Sequence, residues 1–234
     1  MKIRTGDIDT FFVKHVSDKR GARPLILLHG NGGSHHSFDG VAEELSKRFV
    51  CYATDARGQG KTRRGKKPLS YPVLGGDLIA FIEAMNLDHP DVIGYSDGGI
   101  VALEAAARSE NIGRIVTLGA NFSADGLSDE FIEYAKEYLD RSRRFARLPR
   151  VRRKRELTRL MTEEDNYDDF AVLKNVRVPV LLLTGDRDDI KREHTEKLAH
   201  TIPYARSVVI PDCGHRIIRE APQAFLKEVE AFLT

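Results

Sequence analysis

Short, continuous apolar runs alternate along this chain with longer stretches in which apolar residues recur every three or four positions. The runs are Pro24-Leu25-Ile26-Leu27-Leu28, Phe49-Val50-Cys51-Tyr52-Ala53-Thr54, Asp91-Val92-Ile93, Arg114-Ile115-Val116-Thr117-Leu118, Val178-Pro179-Val180-Leu181-Leu182-Leu183 and Ser207-Val208-Val209-Ile210. Runs of this kind predict parallel strands covered on both faces. Phe11 to Val16 predicts an opening strand, paired with residues 2 to 5 as an antiparallel hairpin. Between the strands, Phe38, Val41, Ala42 and Leu45 share one helical face. Further helices are predicted from about Val73 to Asn86, from Ile100 to Ala107, around residues 191 to 202 and from about Pro222 to Phe232. Strands alternating with helices, without an internal repeat, predict an α/β chain with a doubly wound, mostly parallel sheet.

Residues 121 to 174 break this rhythm. They hold 12 acidic and 12 basic residues, so the stretch is neutral but highly charged. Phe131, Tyr134, Ala135 and Tyr138 have the i, i+3, i+4, i+7 spacing of an amphipathic helix that starts near Ser128. Leu157, Leu160 and Met161 mark a second helix after Pro149. A helical block inserted in an α/β chain predicts a short cap (121–174) over the carboxyl ends of the strands, where such sheets bind ligands. Residues 1–120 and 175–234 then form the core.

Composition narrows the classes. A chain of 234 residues, 41% apolar and 31% charged, can bury one large core and reads as an ordinary globular protein. A net charge of +2 gives no ground for a nucleic-acid partner. Cys51 and Cys213 provide no disulfide framework and no zinc spacing. The sequence opens without the apolar stretch of a signal peptide and contains no run long enough to span a membrane. The expectation is a cytoplasmic protein with no membrane partner.

The chemistry concentrates at Gly94-Tyr95-Ser96-Asp97-Gly98-Gly99, which joins a predicted strand to a predicted helix. A Gly-x-Ser-x-Gly in that position is a nucleophile elbow: the turn is so tight that Ser96 must be strained, and the glycines let strand and helix cross. A serine hydroxyl is a poor nucleophile unless a base adjoins it and a third group orients that base. Of the eight histidines, His215 alone follows the last strand, in Asp212-Cys213-Gly214-His215. His194 and His200 fall inside a predicted helix and His15 on an early strand; His35-His36 has no second cluster to make a metal site. Among the aspartates of Gly185-Asp186-Arg187-Asp188-Asp189, Asp188 has the spacing that turns a carboxylate back toward the histidine. Asp186 and Asp189 are expected to be solvated or paired with Arg187. Backbone N–H groups of Asp97 and of Asn31, in the glycine loop after the Leu25–Leu28 strand, suit an oxyanion hole. No cofactor is required.

Taken together, His29-Gly30-Asn31-Gly32, Asp55-Ala56-Arg57-Gly58-Gln59-Gly60, the elbow, Gly185-Asp186-Arg187-Asp188 and Gly214-His215 with Glu220 and Pro222 resemble an α/β-hydrolase-fold serine hydrolase over nearly the whole chain. The resemblance implies that Asp55 and Arg57 are structural. The Ser-Asp-Gly-Gly elbow is similar to that of valacyclovir hydrolase-like small-ester hydrolases, and implies a small-molecule ester substrate. Lactone, thioester, amide and C–C bond cleavage use the same triad, and a low-turnover ligand receptor is the reading from another class. Two readings stand for the Asp97 side chain: a substrate-binding carboxylate that selects a cationic group, or a group that complements the helix N-terminus or bonds within the elbow. Gly60-Lys61-Thr62 lacks the earlier glycine of a phosphate loop, since position 55 is Asp55. Nine Arg or Lys in residues 141 to 155 read first as a solvated cap face, with a nucleic-acid or anionic-membrane contact, or the steering of an anionic substrate, as the alternatives.

Overall fold

A computed structural model describes all of residues 1–234. Its centre is one eight-stranded sheet made of β1 (Lys2–Thr5), β2 (Ile8–His15), β3 (Arg23–Leu28), β4 (Phe49–Thr54), β5 (Asp91–Tyr95), β6 (Ile115–Leu118), β7 (Val180–Arg187) and β8 (Ala205–Gly214). The strand order is β1-β2-β4-β3-β5-β6-β7-β8. The two pairings that involve β2 are antiparallel, and every pairing from β4 to β8 is parallel. Residues two apart share a face of a strand, so each central strand divides its side chains between two cores. Ile26, Leu28 and Val92 pack on the side of α2 (Tyr71–Ala84) and α3 (Asp97–Ala106). Leu25, Leu27 and Ile93 pack on the other side, against α1 (Asp39–Ser46) and α8 (Pro222–Leu233).

From β3 the chain steps outward to β4, then returns to lay β5 on the opposite side of β3. The carboxyl ends of β3 and β5 thus flank a topological switch point, where doubly wound sheets open a crevice. Leu28, the last residue of β3, pairs with Gly94 near the end of β5. The glycine loop and the elbow therefore emerge side by side.

Between β6 and β7 lie α4 (Asp129–Arg141) and α5 (Pro149–Thr162), joined by short single turns. Ser128 Oγ accepts the Phe131 N–H at 3.1 Å and so caps α4 where the sequence places its start. The expected apolar face of α4 is only partly covered. Ala135 is buried, but Tyr134 remains 56% exposed. Arg155 of α5 bonds the Leu139 carbonyl and Ser142 Oγ at the end of α4, holding the two helices together. α6 (Arg192–Thr201) and α7 (Ile217–Glu220) complete the chain.

Arg57 is the largest wholly buried side chain. All five of its N–H donors are used. Nε and Nη2 grip Asp77 of α2 at 2.7 and 2.6 Å, Nη2 and Nη1 grip Asp7 of the β1–β2 turn at 2.7 and 3.1 Å, and Nη1 also reaches the Arg64 carbonyl. Asp55 accepts the His35 N–H, the His35 ring and the Lys61 N–H at 2.7 to 2.8 Å. Both residues hold the loop after β4. Removing one partner of a buried ion pair typically costs about 3–5 kcal/mol, because it strands the opposite charge. Arg57→Ala should lose stability of that order in urea denaturation, and Arg57→Lys, which cannot fork, should recover only part of it. A loss below about 1 kcal/mol, the range of exposed pairs, would refute the pinning role.

Candidate active site

Ser96 sits between β5 and α3 with φ +53° and ψ −119°, one of only four non-glycine residues with positive φ. Such a conformation costs roughly 1–3 kcal/mol and persists only where the surroundings enforce it. Here the enforcement is steric. A Cβ on Gly94 would run into the backbone of Gly98, and one on Gly98 would run into the carbonyl of Leu28. The Ser96 N–H is spent on the Leu118 carbonyl at 2.7 Å, and its own carbonyl accepts Gly99 N–H at 2.8 Å. These bonds fix the backbone and leave the hydroxyl at the helix start.

His215 follows β8 directly, and its Nδ1–H donates to Asp188 Oδ1 at 2.7 Å. That bond leaves Nε2 as the basic nitrogen of the neutral ring. The Asp188 side chain is 1% exposed and also accepts from Ile190 N–H at 3.1 Å and Thr184 Oγ1 at 3.2 Å. Burial works against the His215 charge, but the bond and charge of Asp188 outweigh it and hold the imidazole above its ordinary value. Burial likewise opposes the Asp188 charge, and its bond to His215 brings the carboxyl below the ordinary range. The His215 ring lies 5.3 Å from that of Tyr95, the residue before Ser96. Ser96 Oγ makes no hydrogen bond to His215, a contact that is commonly long or poorly aligned before substrate binds.

Opposite the histidine, the loop after β3 comes close to the serine: a Cβ on Gly30 would stand 3.0 Å from Ser96 Cβ. His29 shapes this loop. Its Nδ1–H donates to the Gly30 carbonyl at 2.7 Å while Nε2 accepts Ala56 N–H at 3.0 Å, which fixes the tautomer. Burial holds His29 below its ordinary value, so it is neutral. Gln59 Oε1 accepts Gly32 N–H at 2.7 Å. The Asn31 N–H has no protein acceptor, and the Asp97 N–H, first in α3, has none within the helix. Two donors thus remain beside Ser96.

The Asp97 side chain is bonded outside the elbow. Asp97 is 3% exposed, and its two oxygens accept Asn31 Nδ2 at 2.9 Å and Tyr71 OH at 3.0 Å. Both carboxylate oxygens are thus bonded to protein groups, one of them Asn31 of the loop after β3. The same Asn31 Nδ2 donates to the Leu157 carbonyl of α5 at 3.0 Å. Tyr71 packs against Tyr167 at 4.6 Å, and Asn121 donates to Tyr167 OH at 2.8 Å.

Asp186 has a further role beside the expected one. It is exposed and lies 3.8 Å from Arg187 Nε as expected, and it also accepts Asp212 and Cys213 N–H, both at 3.0 Å, which holds the loop that presents His215. Gly214 N–H is held in turn by Glu220 at 2.7 Å. Gly119, with φ +56°, was not singled out by sequence reasoning. A Cβ there would stand 2.7 Å from His215 Nδ1 and 2.8 Å from Asp188 Oδ2, so only glycine leaves room for the pair. Its one sequence signal is its place at the end of the β6 run.

A mostly parallel sheet with a strained serine at its switch point, and an acid-held histidine just after a later strand, defines a hydrolase scaffold of the α/β type. A model of the alpha/beta hydrolase family matches residues 25–228, and the chain belongs to that family. It is 26% identical to the AB hydrolase superfamily protein YisY of Bacillus subtilis, over 91% of each chain. It is also 26% identical to the putative carbamate hydrolase RutD of Rhizobium rhizogenes, over 95% of this chain and 97% of the relative. Among solved structures, MGS-M2, an alpha/beta hydrolase enzyme from a Medee basin deep-sea metagenome library, superposes with a TM-score of 0.84 at 19% identity. That superposition covers 100% of this chain and 97% of the other.

Burial pushes the Asp97 carboxyl up from 3.8 to about 6, even though the Asn31 and Tyr71 bonds oppose the shift. A raised folded-state value means that the fold favours the neutral acid. The associated stability is fully present below the unfolded value near 3.8 and is lost as pH rises through about 6. Between pH 4 and pH 7, Asp97→Asn should remove a decline of about 3 kcal/mol at most. The measurement is the difference in urea stability between variant and wild type across that range; a difference that does not change with pH would refute the buried ionisation.

Proposed function

We propose that this protein cleaves a small carboxylic ester through an acyl-enzyme, with Ser96 as nucleophile, His215 as general base and Asp188 as its orienting acid. The observation that carries the reading is the convergence on Ser96 of the Asp188-held His215 from one side and the Gly30–Asn31 loop from the other. A putative esterase/lipase of Haemophilus influenzae and lipase 3 of a Moraxella strain, both matched over nine-tenths or so of this chain, add support for ester chemistry.

In the proposed sequence, His215 Nε2 takes the Ser96 hydroxyl proton as Oγ attacks the carbonyl carbon. The C=O electron pair moves to oxygen, which the Asn31 and Asp97 N–H groups receive. Collapse of the tetrahedral species breaks the bond to the leaving alcohol, and that oxygen takes the proton from His215. Water then repeats the steps on the acyl-enzyme with His215 as base, and the acid leaves. Asp188 keeps the proton of Nδ1 in place and stabilises the imidazolium without taking the proton itself. Asp97 contributes through its backbone N–H and, through its side chain, by fixing Asn31.

On a short-chain aryl ester, Ser96→Ala should lower kcat by about 10⁴-fold or more, and a fluorophosphonate should label the wild type but not the variant. Full activity in Ser96→Ala, or a wild type that neither turns over nor labels, would overturn the reading. Thioester, lactone and amide analogues in the same assay order the bond classes. Asp188→Asn should reduce kcat by about 10³–10⁴-fold. Because Asp188 holds the His215 value up, its loss should also move the acid limb of the kcat/KM profile to lower pH. A limb that stays in place would exclude His215 as the titrating base.

A further inference from the structure

Two cavities border the proposed site. One is an internal slot of about 50 Å³ between Asp97, His29, Arg57 and Asp77, large enough only for water. The other is a groove of about 440 Å³ bordered by Asn31 and Gly32 and walled by α4 and α5. Its apolar wall includes Phe131, Tyr134 and Leu157, the incompletely covered face of α4 meeting the inner face of α5. Its charged wall is Arg150, Arg153 and Lys154, and no acidic side chain lines it.

The cations facing this groove differ from their neighbours on α5. Arg155 is tied to Leu139 and Ser142, Glu156 to Arg64, and Arg159 to Glu163. Arg150 and Arg153 enter no ion pair, and Lys154 lies 4.3 Å over the Tyr138 ring. The acids of α4, among them Glu130, Glu133 and Glu137, lie outside the lining. The groove also has a fixed relation to the oxyanion loop, since the Leu157 carbonyl accepts Asn31 Nδ2. At 1.5 Å per residue, Arg153 and Arg150 stand about 6 and 10 Å back along α5 from that contact. A free, forked guanidinium at the end of an apolar wall suits a carboxylate.

We propose that this groove receives the acyl chain of the substrate and that Arg150, Arg153 and Lys154 bind a carboxylate at its far end. The inference rests on the ester-hydrolase reading and names its substrate class: half-esters of dicarboxylic acids with a short methylene chain. The acyl side is assigned because the leaving alcohol must lie by His215, which protonates it, whereas the groove adjoins Asn31.

The test measures binding and turnover separately. Calorimetry on Ser96→Ala compares monophenyl adipate with phenyl hexanoate, which has the same chain length and no charge. The half-ester should bind about tenfold tighter, with an advantage that shrinks as salt is raised. Adding Arg150→Gln and Arg153→Gln should bring the ratio to within about twofold of unity, whereas Arg141→Gln with Arg144→Gln, from the same basic run but outside the groove, should preserve it. Equal binding of the two esters, or equal loss of the ratio in both double variants, overturns the proposal. A half-ester preference in binding without turnover of either ester by the otherwise wild-type chain supports the groove and refutes the hydrolase reading. Turnover of both without any preference refutes the groove and leaves the hydrolase reading in place.

Discussion

The crossing of β5 and α3 at Gly94 and Gly98 is so close that neither position has room for a Cβ, and everything at the site follows from that contact. It holds Ser96 in a left-handed backbone conformation, at a cost of roughly 1–3 kcal/mol that no local preference offsets. The surrounding sheet offsets it. β3, β5 and β6 are buried on both faces, their ladders are complete around the turn, and the Ser96 N–H is itself bonded to the end of β6. Because the crossing falls where the strand order reverses, the loop after β3 arrives beside the serine without a long excursion. Strain, topology and the approach of the loop after β3 are therefore one arrangement seen at three scales.

Asp97 extends that arrangement outward. A buried carboxylate is expensive unless its oxygens are bonded, and the two donors that satisfy it come from different parts of the chain: Asn31 from the loop after β3 and Tyr71 from α2. Asn31 donates at the same time to the backbone of α5, and Tyr71 packs on Tyr167, so the inserted helices are linked to the elbow through one side chain. The loop that carries the Asn31 N–H is thus anchored to a buried carboxylate. A negative charge this close to the serine would oppose an oxyanion if it were free. Turned inward, it serves as an anchor.

Much of this was legible in the sequence, for physical reasons. Strands buried on both faces must be continuously apolar, which placed β3 to β7, and an elbow must carry glycine where backbones touch, which placed Ser96. His215 was found by order and by its place after β8, and Asp188 by its spacing from Gly185; the structure brings these two into a 2.7 Å bond. What sequence could not reveal is direction. Nothing in Ser-Asp-Gly-Gly says whether Asp97 points outward or in, because its partners lie 26 and 66 positions away. The loop-holding bonds of Asp186 stayed hidden for a similar reason: its donors are backbone N–H groups, which carry no residue signature. Gly119 stayed hidden because the end of a strand is an ordinary place for glycine, and only the packed His215–Asp188 pair shows that a side chain has no room there.

Charge is where a sequence average misleads most. Residues 121 to 174 are neutral by count, and the whole chain carries only +2, so neither figure suggests a preferred ligand charge. Folding separates the signs. The acids of α4 stay out of the groove, the cations of α5 divide into those that brace neighbouring segments and those left facing it, and the buried Asp97 and Asp188 are bonded by internal donors. At physiological ionic strength a charge acts over roughly 8 Å, so an approaching molecule senses the local set and not the total. The charged side chains that line the groove are Arg150, Arg153 and Lys154, while Asp188 is paired with His215 and Asp97 is bonded by Asn31 and Tyr71. A carboxylate beside the serine need not face outward, because a buried acid is held by the donors that satisfy its oxygens, and here those donors are inside the protein.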